Sequence, residues 1–401
     1  MGIYIDVFNY VLVVILAGVS VAWIMLIRSM WITFRDSPFL DQFKTRSHAR
    51  PKVSIILPAR NEEKFIERCL CSLINQDYDN YEIIAIDDRS DDKTGSIIKK
   101  IAEKNYKVKY VLAGPKPDKW MGKNWACVEG YKRSTGELLL FTDADTYHSN
   151  NSISLAVSHL ISEELDALTA IPKMLCLDKW TKITLPVLST FLHTRFSALR
   201  VNDPSKKTGY FFGSFFIIKR DAYHSVGTHE GVKSEIVEDG ALGKKVKEAG
   251  FKLKMVRAEH IVEAVWARDW LTLWHALKRL MVPLYFQSRT VALGIFVAVL
   301  FLLFIPFPAL AYSAFFSSNA LSFEILFVSS LISSTLIYLA SILDARKGLL
   351  LPIKYQIFTF LGSAIIIFGF ASGIIHAKSD KAISWRGRTY SIADTQNVIS
   401  I

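Results

Sequence analysis

The chain has 401 residues, of which 51% are hydrophobic and only 21% are charged, a balance too apolar for a disordered or purely soluble protein. We therefore expect a membrane component and about two or three structural units. The net charge of +11 suits anionic lipids, nucleotide phosphates or nucleic acid about equally well. The four cysteines lack the paired spacing of a zinc site, so we predict that they are reduced thiols.

The first predicted element is a membrane-spanning helix. Residues 7–27 carry no ionisable side chain and are long enough to cross a hydrocarbon layer of ~30 Å. A cleaved signal peptide is the alternative, but it needs a basic start, whereas residues 1–6 contain only Asp6 as a charged residue. We therefore assign residues 1–50 to this helix and a basic linker.

Residues 51–265 alternate strand-like and helix-like patterns. Short β-branched runs at 53–57 and 82–86 flank a segment, 65–74, in which apolar residues recur at helical spacing. The pattern continues with a helix near 97–101, a strand at 108–112, a helix at 124–134 and a strand at 137–142. This alternation predicts an α/β domain with a doubly wound parallel sheet, whose ligands lie beyond the carboxyl ends of the strands.

Acidic residues follow two of the predicted strands. Asp87 and Asp88 come after the strand at 82–86, and Asp143 and Asp145 come after the strand at 137–142. A carboxylate pair one residue apart can bind a hard divalent cation that bridges phosphates. The alternative is turn chemistry, because Asp is common in turns. The glycine-rich loops GxGxxG and GxxxxGK[ST] are absent, so a bound nucleotide would depend on a metal and basic side chains.

Four segments in this order resemble family 2 glycosyltransferases with the Rossmann-like GT-A fold. They are residues 51–62, the strand that ends in Asp87-Asp88, the Asp143-Ala-Asp145 turn, and Glu238-Asp239, and the likeness covers about residues 51–285. Within that family, three further stretches resemble the ceramide glucosyltransferase, hopanoid-associated and carotenoid glycosyltransferases. These stretches are KWMGKNWA at 119–126, residues 209–220, and WRGRTY at 385–390.

The resemblance implies a role for individual residues. Asp239 would be the general base that takes a proton from the acceptor hydroxyl in an inverting displacement. Asp145 would ligate Mg²⁺ or Mn²⁺, and Asp143 would lie beside it near the ribose. The other implied contacts to the nucleotide sugar are Pro58, Glu62, Asp88, Lys123, Glu238, Arg386 and Arg388.

Several of these assignments have simpler alternatives. Glu238-Asp239 could be a solvated helix start, and Lys123 could be a lysine that extends to a membrane interface. Arg386 and Arg388 suit a membrane interface as well as a diphosphate. Arg89 stands where the family usually has a glycine, which makes the turn after the second strand uncertain.

The remainder of the chain is predicted to associate with a membrane. Residues 266–289 form a predicted amphipathic interfacial helix, 290–377 contain the C-terminal transmembrane segments, and 378–401 form a basic tail. The polar patch at 317–322 divides the stretch from 290 to 343 into a hairpin, and the last apolar run, 356–377, either spans or re-enters the membrane. Lys and Arg near the segment ends place residues 28–289 in the cytoplasm of a multi-pass cell-membrane protein.

The sequence thus predicts an inverting, metal-dependent hexosyltransferase that moves one sugar from a nucleotide sugar, expected to be UDP-linked, to a membrane lipid hydroxyl. We expect no nucleic-acid partner. The alternatives are a polyprenyl-phosphate sugar transferase, a processive polysaccharide synthase and, more remotely, a non-catalytic nucleotide-binding scaffold. Processive synthases carry QxxRW before their C-terminal spans, whereas this chain reads WHALKRL at 274–280.

Overall fold

The computed structural model describes residues 2–42, 50–316, 320–377, 383–385 and 387–390. The chain divides into two compact units. The first unit contains residues 1–36, 176–197 and 267–378, and the second contains residues 37–175, 198–266 and 379–401. The sequence placed residues 176–197 within the α/β domain, whereas their contacts place them with the apolar helices.

Helices and strands alternate along most of the second unit, whereas the first unit is mainly helical. In chain order the α-helices are α1 (Gly2–Asp36), α2 (Ile66–Ile74), α3 (Thr94–Lys104), α4 (Gly122–Arg133), α5 (Ser152–Ser162), α6 (Lys179–Arg195), α7 (Ala198–Asn202), α8 (Arg220–Ser225), α9 (Glu238–Glu248), α10 (Trp270–Gln287), α11 (Arg289–Leu303), α12 (Pro306–Phe315), α13 (Leu321–Leu343) and α14 (Thr359–His376). The strands are β1 (Val53–Ala59), β2 (Tyr81–Asp87), β3 (Val108–Leu112), β4 (Leu138–Phe141), β5 (Thr146–His148), β6 (Ala167–Ile171), β7 (Lys173–Cys176), β8 (Phe216–Lys219), β9 (Leu253–Arg257), β10 (Val262–Ala267), β11 (Ile383–Trp385) and β12 (Arg388–Tyr390). Shorter helical turns are Leu40–Gln42, His229–Val232, Asp344–Gly348 and Ile353–Phe358.

A mainly parallel sheet forms the centre of the second unit. Within the described residues it has seven strands in the order β3-β2-β1-β4-β8-β6-β9. Strand β1 is parallel to β2 and β4, and β6 is parallel to β9, while β8 is antiparallel to both of its neighbours. The predicted α/β fold is confirmed, and the antiparallel β8 is a feature that the alternating pattern did not indicate.

The central strands are apolar along their whole length because helices cover both faces of the sheet. In β1, Ile55 and Leu57 belong to one buried cluster, whereas Ile56 belongs to a second cluster. Side chains of a strand point alternately to opposite faces, so each strand contributes to two cores at once. The pairing of Ala59 with Asp87 brings the carboxyl ends of β1 and β2 to one edge.

The first unit consists of apolar helices. Three described helical segments are long and apolar enough to cross a membrane: Ile3–Asp36, Leu321–Gly348 and Ile353–His376. The helices α11 and α12 are bent by 48° at the break between them and would form a fourth span if counted together. Pro306 begins α12, and a proline there has no N–H to continue the ladder of α11. Part of the predicted polar divider, 317–319, lies outside the described residues.

Two sequence predictions for this unit change in detail. The interfacial helix begins at Trp270 rather than at 266, because β10 continues to Ala267 and the side chain of Asp269 caps the helix by accepting from the Thr272 N–H at 2.8 Å. The last apolar run forms a continuous helix, α14, which includes Gly362, Gly369 and Gly373. A Cβ on Gly373 would lie 2.7 Å from the Lys278 carbonyl oxygen, so this glycine allows close helix packing instead.

Candidate active site

The turn after β4 carries Asp143 and Asp145, and hydroxyl groups hold this turn in place. Thr146 Oγ1 donates to the Asp143 carbonyl oxygen at 2.7 Å. Thr142 Oγ1 donates to the Ser214 carbonyl oxygen at 2.8 Å, which ties the turn to the chain that leads into β8. The side chains of Asp143 and Asp145 are partly exposed, so both carboxylates are accessible at the edge of the sheet.

Lys123, in the first turn of α4, joins the Asp143 turn to the start of α9. Its Nζ lies 2.7 Å from Asp143 Oδ1 and 2.6 Å from Glu238 Oε1. Burial by itself would lower the pKa of Lys123, but Asp143, Glu238 and Asp239 raise this pKa well above its ordinary value. Lys123 therefore remains an ammonium ion between two carboxylates.

Asp239, in the first turn of α9, is held by backbone N–H groups. The Gly213 N–H donates to Oδ2 at 2.8 Å, and the Gly240 N–H donates to Oδ1 at 2.8 Å. Desolvation and repulsion by Glu238 raise the pKa of Asp239 to about 7, although Lys123 acts in the opposite direction. A carboxylate with this pKa is suited to accept a proton near neutral pH.

Gly213 leaves space between charged side chains. A Cβ at this position would be 2.8 Å from Lys123 Nζ, 3.0 Å from Asp239 Oδ2 and 3.4 Å from Asp143 Oδ2. Three charged groups from three different elements therefore converge on the space that the missing side chain leaves open. The sequence indicated Gly213 only as part of a resembling stretch.

Asp88, at the end of β2, is almost fully buried and is paired with Arg388 of β12. Arg388 Nη2 lies 3.0 Å from Asp88 Oδ1, and Arg388 Nη1 also contacts Oδ2. Arg60 Nη1 donates to the Asp88 carbonyl oxygen at 2.7 Å. Burial raises the pKa of Asp88, and the ion pair with Arg388 opposes this effect. Arg89, which stands where the resembling family usually has a glycine, takes a left-handed conformation with φ of 54°.

The buried Cys127 thiol connects the two groups of acidic residues. Burial raises the pKa of Cys127, the charge of Lys123 opposes this effect, and the charges of Glu238, Asp143 and Asp88 add to it. The carboxylate of Asp88 therefore lies in the same electrostatic neighbourhood as Asp143 and Glu238. In the same way, burial raises the pKa of Cys69 to about 12, and both Asp145 and Asp143 contribute. Asp143 thus acts on both thiols, together with Glu238 and Asp88 at Cys127 and with Asp145 at Cys69.

The remaining predicted contacts have different positions. Pro58 is in β1, paired with Ile86, and is partly exposed near the edge where Asp88 lies. Glu62 is buried in the turn before α2, and its N–H donates to Thr94 Oγ1 at 2.7 Å. Arg386 lies outside the described residues.

Sequence reasoning missed Arg60 and His229. His229 is buried, and its Nδ1 is hydrogen-bonded to the Tyr223 hydroxyl at 2.6 Å. Burial and the charge of Lys123 lower the pKa of His229 to about 3, so it is neutral beside the charged cluster. Arg60 could have been noticed because it follows Pro58 within a resembling segment. No sequence signal pointed to His229, since its contacts arise from folding.

The residues of the turn fit a metal that binds together with its substrate. Within the described ranges, no group of three or more His, Cys, Asp or Glu side chains converges to hold a metal ion alone. A Mg²⁺ ion in phosphate-transfer sites takes one or two protein carboxylates and completes its coordination with phosphate oxygens and waters. The carboxylates of Asp143 and Asp145 match that requirement.

The chain matches known proteins in the region that forms this site. Residues 54–227 match the family described as Glycosyl transferase family 2. "Probable glycosyltransferase YdaM" of Bacillus subtilis (strain 168) is 31% identical over 158 residues, covering 37% of this chain and 37% of that protein. "4,4'-diaponeurosporenoate glycosyltransferase" of Staphylococcus haemolyticus is 27% identical over 202 residues, covering 50% of this chain and 53% of that protein. The match thus spans about a third to about half of the length of these curated relatives.

A solved structure shows the same fold over most of the chain. The mannosyltransferase PcManGT from Pyrobaculum calidifontis, in complex with GDP-Man and Mn²⁺, has a TM-score of 0.55 and 18% sequence identity. The similarity covers 92% of this chain and 100% of that one. The family match over residues 54–227 and this similarity of fold support a family 2 glycosyltransferase domain with the GT-A fold.

Proposed function

We propose that this protein transfers one sugar from a nucleotide sugar to a hydroxyl group of a membrane lipid, with inversion at the anomeric carbon. The observation that carries the proposal is the carboxylate of Asp239. It lies at the start of α9, is fixed by two N–H donors and has a pKa of about 7. A general base near the operating pH contributes roughly 10² to 10⁴-fold to a rate.

The proposed reaction is a single displacement. The acceptor oxygen forms a bond to the anomeric carbon as the bond from that carbon to the donor diphosphate breaks. The acceptor proton passes to Asp239, and the nucleoside diphosphate leaves with the electron pair of the broken bond. Each oxygen of Asp239 already accepts one N–H, and a carboxylate oxygen has a second lone pair for the proton. One displacement inverts the anomeric configuration.

We assign the donor to the edge formed by β1, β2 and β4. Asp88, with Pro58 and Glu62, would bind the nucleoside, expected to be uridine, and Arg388 holds Asp88 in position. Lys123, between Asp143 and Glu238, would contact the diphosphate. A divalent cation, Mg²⁺ or Mn²⁺, held by Asp145 with Asp143 would supply further positive charge that stabilises the leaving diphosphate.

The choice of a lipid acceptor is supported by the apolar helices and by one relative. Three segments are long and apolar enough to cross a membrane. The relative from Staphylococcus haemolyticus is named as a glycosyltransferase of 4,4'-diaponeurosporenoate. From the distribution of Lys and Arg we propose a multi-pass cell-membrane protein whose glycosyltransferase domain is cytoplasmic. We also propose that α10 lies at the membrane interface, as its pattern of tryptophan, leucine and basic residues indicates.

The test incubates detergent-purified full chain with a panel of nucleotide sugars and a total lipid extract, followed by lipid mass spectrometry. The expected result is a mass increase of one sugar on a neutral lipid. Asp239→Asn should abolish that product while UDP binding by calorimetry stays within a few-fold of wild type, and Asp221→Asn, at an exposed position of α8, is the matched control. A long polymer, an acid-labile phosphodiester product, or full activity of Asp239→Asn would each overturn the proposal. Absence of any glycosylated product with the whole panel would favour a binding scaffold instead.

A further inference from the structure

Three segments that are far apart in sequence meet in the first unit, around Gln356. This side chain is buried, and its Nε2 donates to the Lys182 carbonyl oxygen of α6 at 3.1 Å. Its Oε1 accepts from Ser341 Oγ of α13 at 2.6 Å. A Cβ on Gly362 of α14 would lie 2.6 Å from the Ile183 carbonyl oxygen, so only glycine allows this approach. The first turn of α6 is therefore fixed beside the helical turn Ile353–Phe358.

Lysine ammonium groups and aromatic rings face one another at this junction. Lys182 Nζ and Lys354 Nζ lie 5.4 Å and 5.5 Å from the centroid of the same ring, that of Tyr355. Lys179 Nζ lies 5.1 Å from the Trp180 ring, which packs edge-on against Trp270 of α10 at 5.7 Å. We call Lys179, Trp180, Lys182, Trp270, Lys354 and Tyr355 the cationic aromatic cluster.

Among the described residues, no acidic side chain forms an ion pair with these three lysines. Within the part of the chain that the structure describes, none of them has a carboxylate oxygen within 4.0 Å of its Nζ. The nearest acidic residue in sequence, Asp178, caps α6 instead: Oδ1 accepts from the Trp180 and Thr181 N–H groups at 2.8 Å and 3.1 Å, and Oδ2 accepts from Thr181 Oγ1 at 2.6 Å. The two ammonium groups beside Tyr355 therefore have no carboxylate counter-charge within that distance, and an anion near the ring would be attracted to both.

The surroundings of the cluster are apolar and exposed. Leu177 and Leu271 are 51% and 64% exposed, and Ile353 and Ile357 on the turn that carries Lys354 are 54% and 68% exposed. Exposed apolar side chains beside tryptophan, tyrosine and lysine are typical of the boundary between a membrane and water. A ligand for this site should therefore have an anionic group and an apolar part.

We propose that the cationic aromatic cluster binds the phosphate headgroup of an anionic phospholipid, with the acyl chains against the exposed leucine and isoleucine side chains. Lys182 and Lys354 would contact the phosphate oxygens from two sides, and Lys179 would add charge. The inference rests on the membrane location of the first unit and is independent of the proposed sugar transfer, because none of its residues belongs to the candidate active site.

The experiment uses native mass spectrometry of the detergent-purified full chain with phosphatidylglycerol and phosphatidylcholine supplied together. Wild type should retain phosphatidylglycerol in preference, and the double variant Lys182→Gln/Lys354→Gln should bind it about fivefold more weakly for each lysine removed. The matched control is Lys99→Gln/Lys100→Gln, which removes two exposed lysines of α3 in the second unit. Thermal unfolding without added lipid, unchanged between the variants, shows that the double variant is folded.

Three results would overturn the inference. Wild type could show no preference between the two lipids, or the control variant could lose phosphatidylglycerol as strongly as the double variant. Glycerol phosphate could also bind wild type as tightly as phosphatidylglycerol does, which would identify a site for soluble phosphate rather than for a lipid.

Discussion

Replacing Gly213 with alanine tests whether the charged groups around it act as one site. The new Cβ would lie 2.8 Å from Lys123 Nζ, whereas ordinary contact begins at 3.4 Å. The ammonium must therefore move away by about 0.6 Å, the difference between these two distances. Lys123 is held by Asp143 and Glu238 at 2.7 Å and 2.6 Å, so the displacement lengthens at least one of these ion pairs.

The displacement should impair catalysis more than stability. A misplacement of about 1 Å near reacting atoms can cost roughly 10²-fold in rate, so we expect kcat to fall roughly 10-fold to 100-fold in Gly213→Ala. The N–H of residue 213 is retained, so its bond to Asp239 does not have to break. Insertion of one methyl group into a packed site lowers the free energy of unfolding by about 1–3 kcal/mol.

The assay measures release of the nucleoside diphosphate from the donor identified by the lipid screen, together with calorimetric UDP binding and chemical unfolding. Gly114→Ala is the control, because its nearest atom, Trp125 Cζ2, would be an ordinary 3.7 Å away from the new Cβ. The control should keep the wild-type kcat. Wild-type turnover of Gly213→Ala, or an equal loss in both variants, would refute the reasoning that Gly213 leaves the space that Lys123, Asp143 and Asp239 need.

Three further predictions concern single carboxylates and their partners. The value of kcat/KM should rise about tenfold per pH unit below an apparent pKa of about 7 and then level off, because only ionised Asp239 accepts the proton; a profile without this rise contradicts the assignment. Arg388→Gln should weaken UDP binding about 10-fold or more in calorimetry, because it leaves the buried carboxylate of Asp88 without its partner, and Arg388→Lys should restore part of the affinity. Burial opposes ionisation of Glu82, but hydrogen bonds from Lys109 and Ser54 prevail and lower its pKa from 4.5 to about 2. Because the pKa of Glu82 is lower in the folded state, the ionised side chain stabilises the fold at pH values above the unfolded-state pKa of 4.5, and this stabilisation is lost as the pH falls toward 2. It amounts to about 3 kcal/mol in the free energy of unfolding, and urea unfolding of Glu82→Gln should lack this acid-dependent contribution. The same acid dependence in both proteins would show that Glu82 contributes nothing of this kind.

The parts of the fold that the sequence predicted correctly depend on local pattern. The apolar runs that became β1 and β2, with amphipathic segments between them, are determined by burial on two faces of a sheet. Acidic residues follow β2 and β4 directly along the chain, so their place at one edge follows from parallel pairing alone. The antiparallel β8 could not be predicted in this way, since a strand of four residues, three of them apolar, carries no signal of its direction.

Sequence patterns could not predict which residues pair with one another in the candidate active site. Lys123 lies between carboxylates that are 20 and 115 residues away in the chain, and Arg388 pairs with Asp88 across 300 residues. Neither spacing repeats a local period, and the charges alone would permit many other pairs.

The sequence by itself determined the alternating α/β domain, the apolar helices and the identity of the acidic residues. These features depend on patterns among residues that are close together along the chain. Only the tertiary structure decided which cation lies between which carboxylates, that Gly213 leaves room for them, and that Lys182 and Lys354 share one aromatic ring. The physical reason is that electrostatic and packing contacts depend on distance in space, which is fixed only when the strands and helices have been packed together.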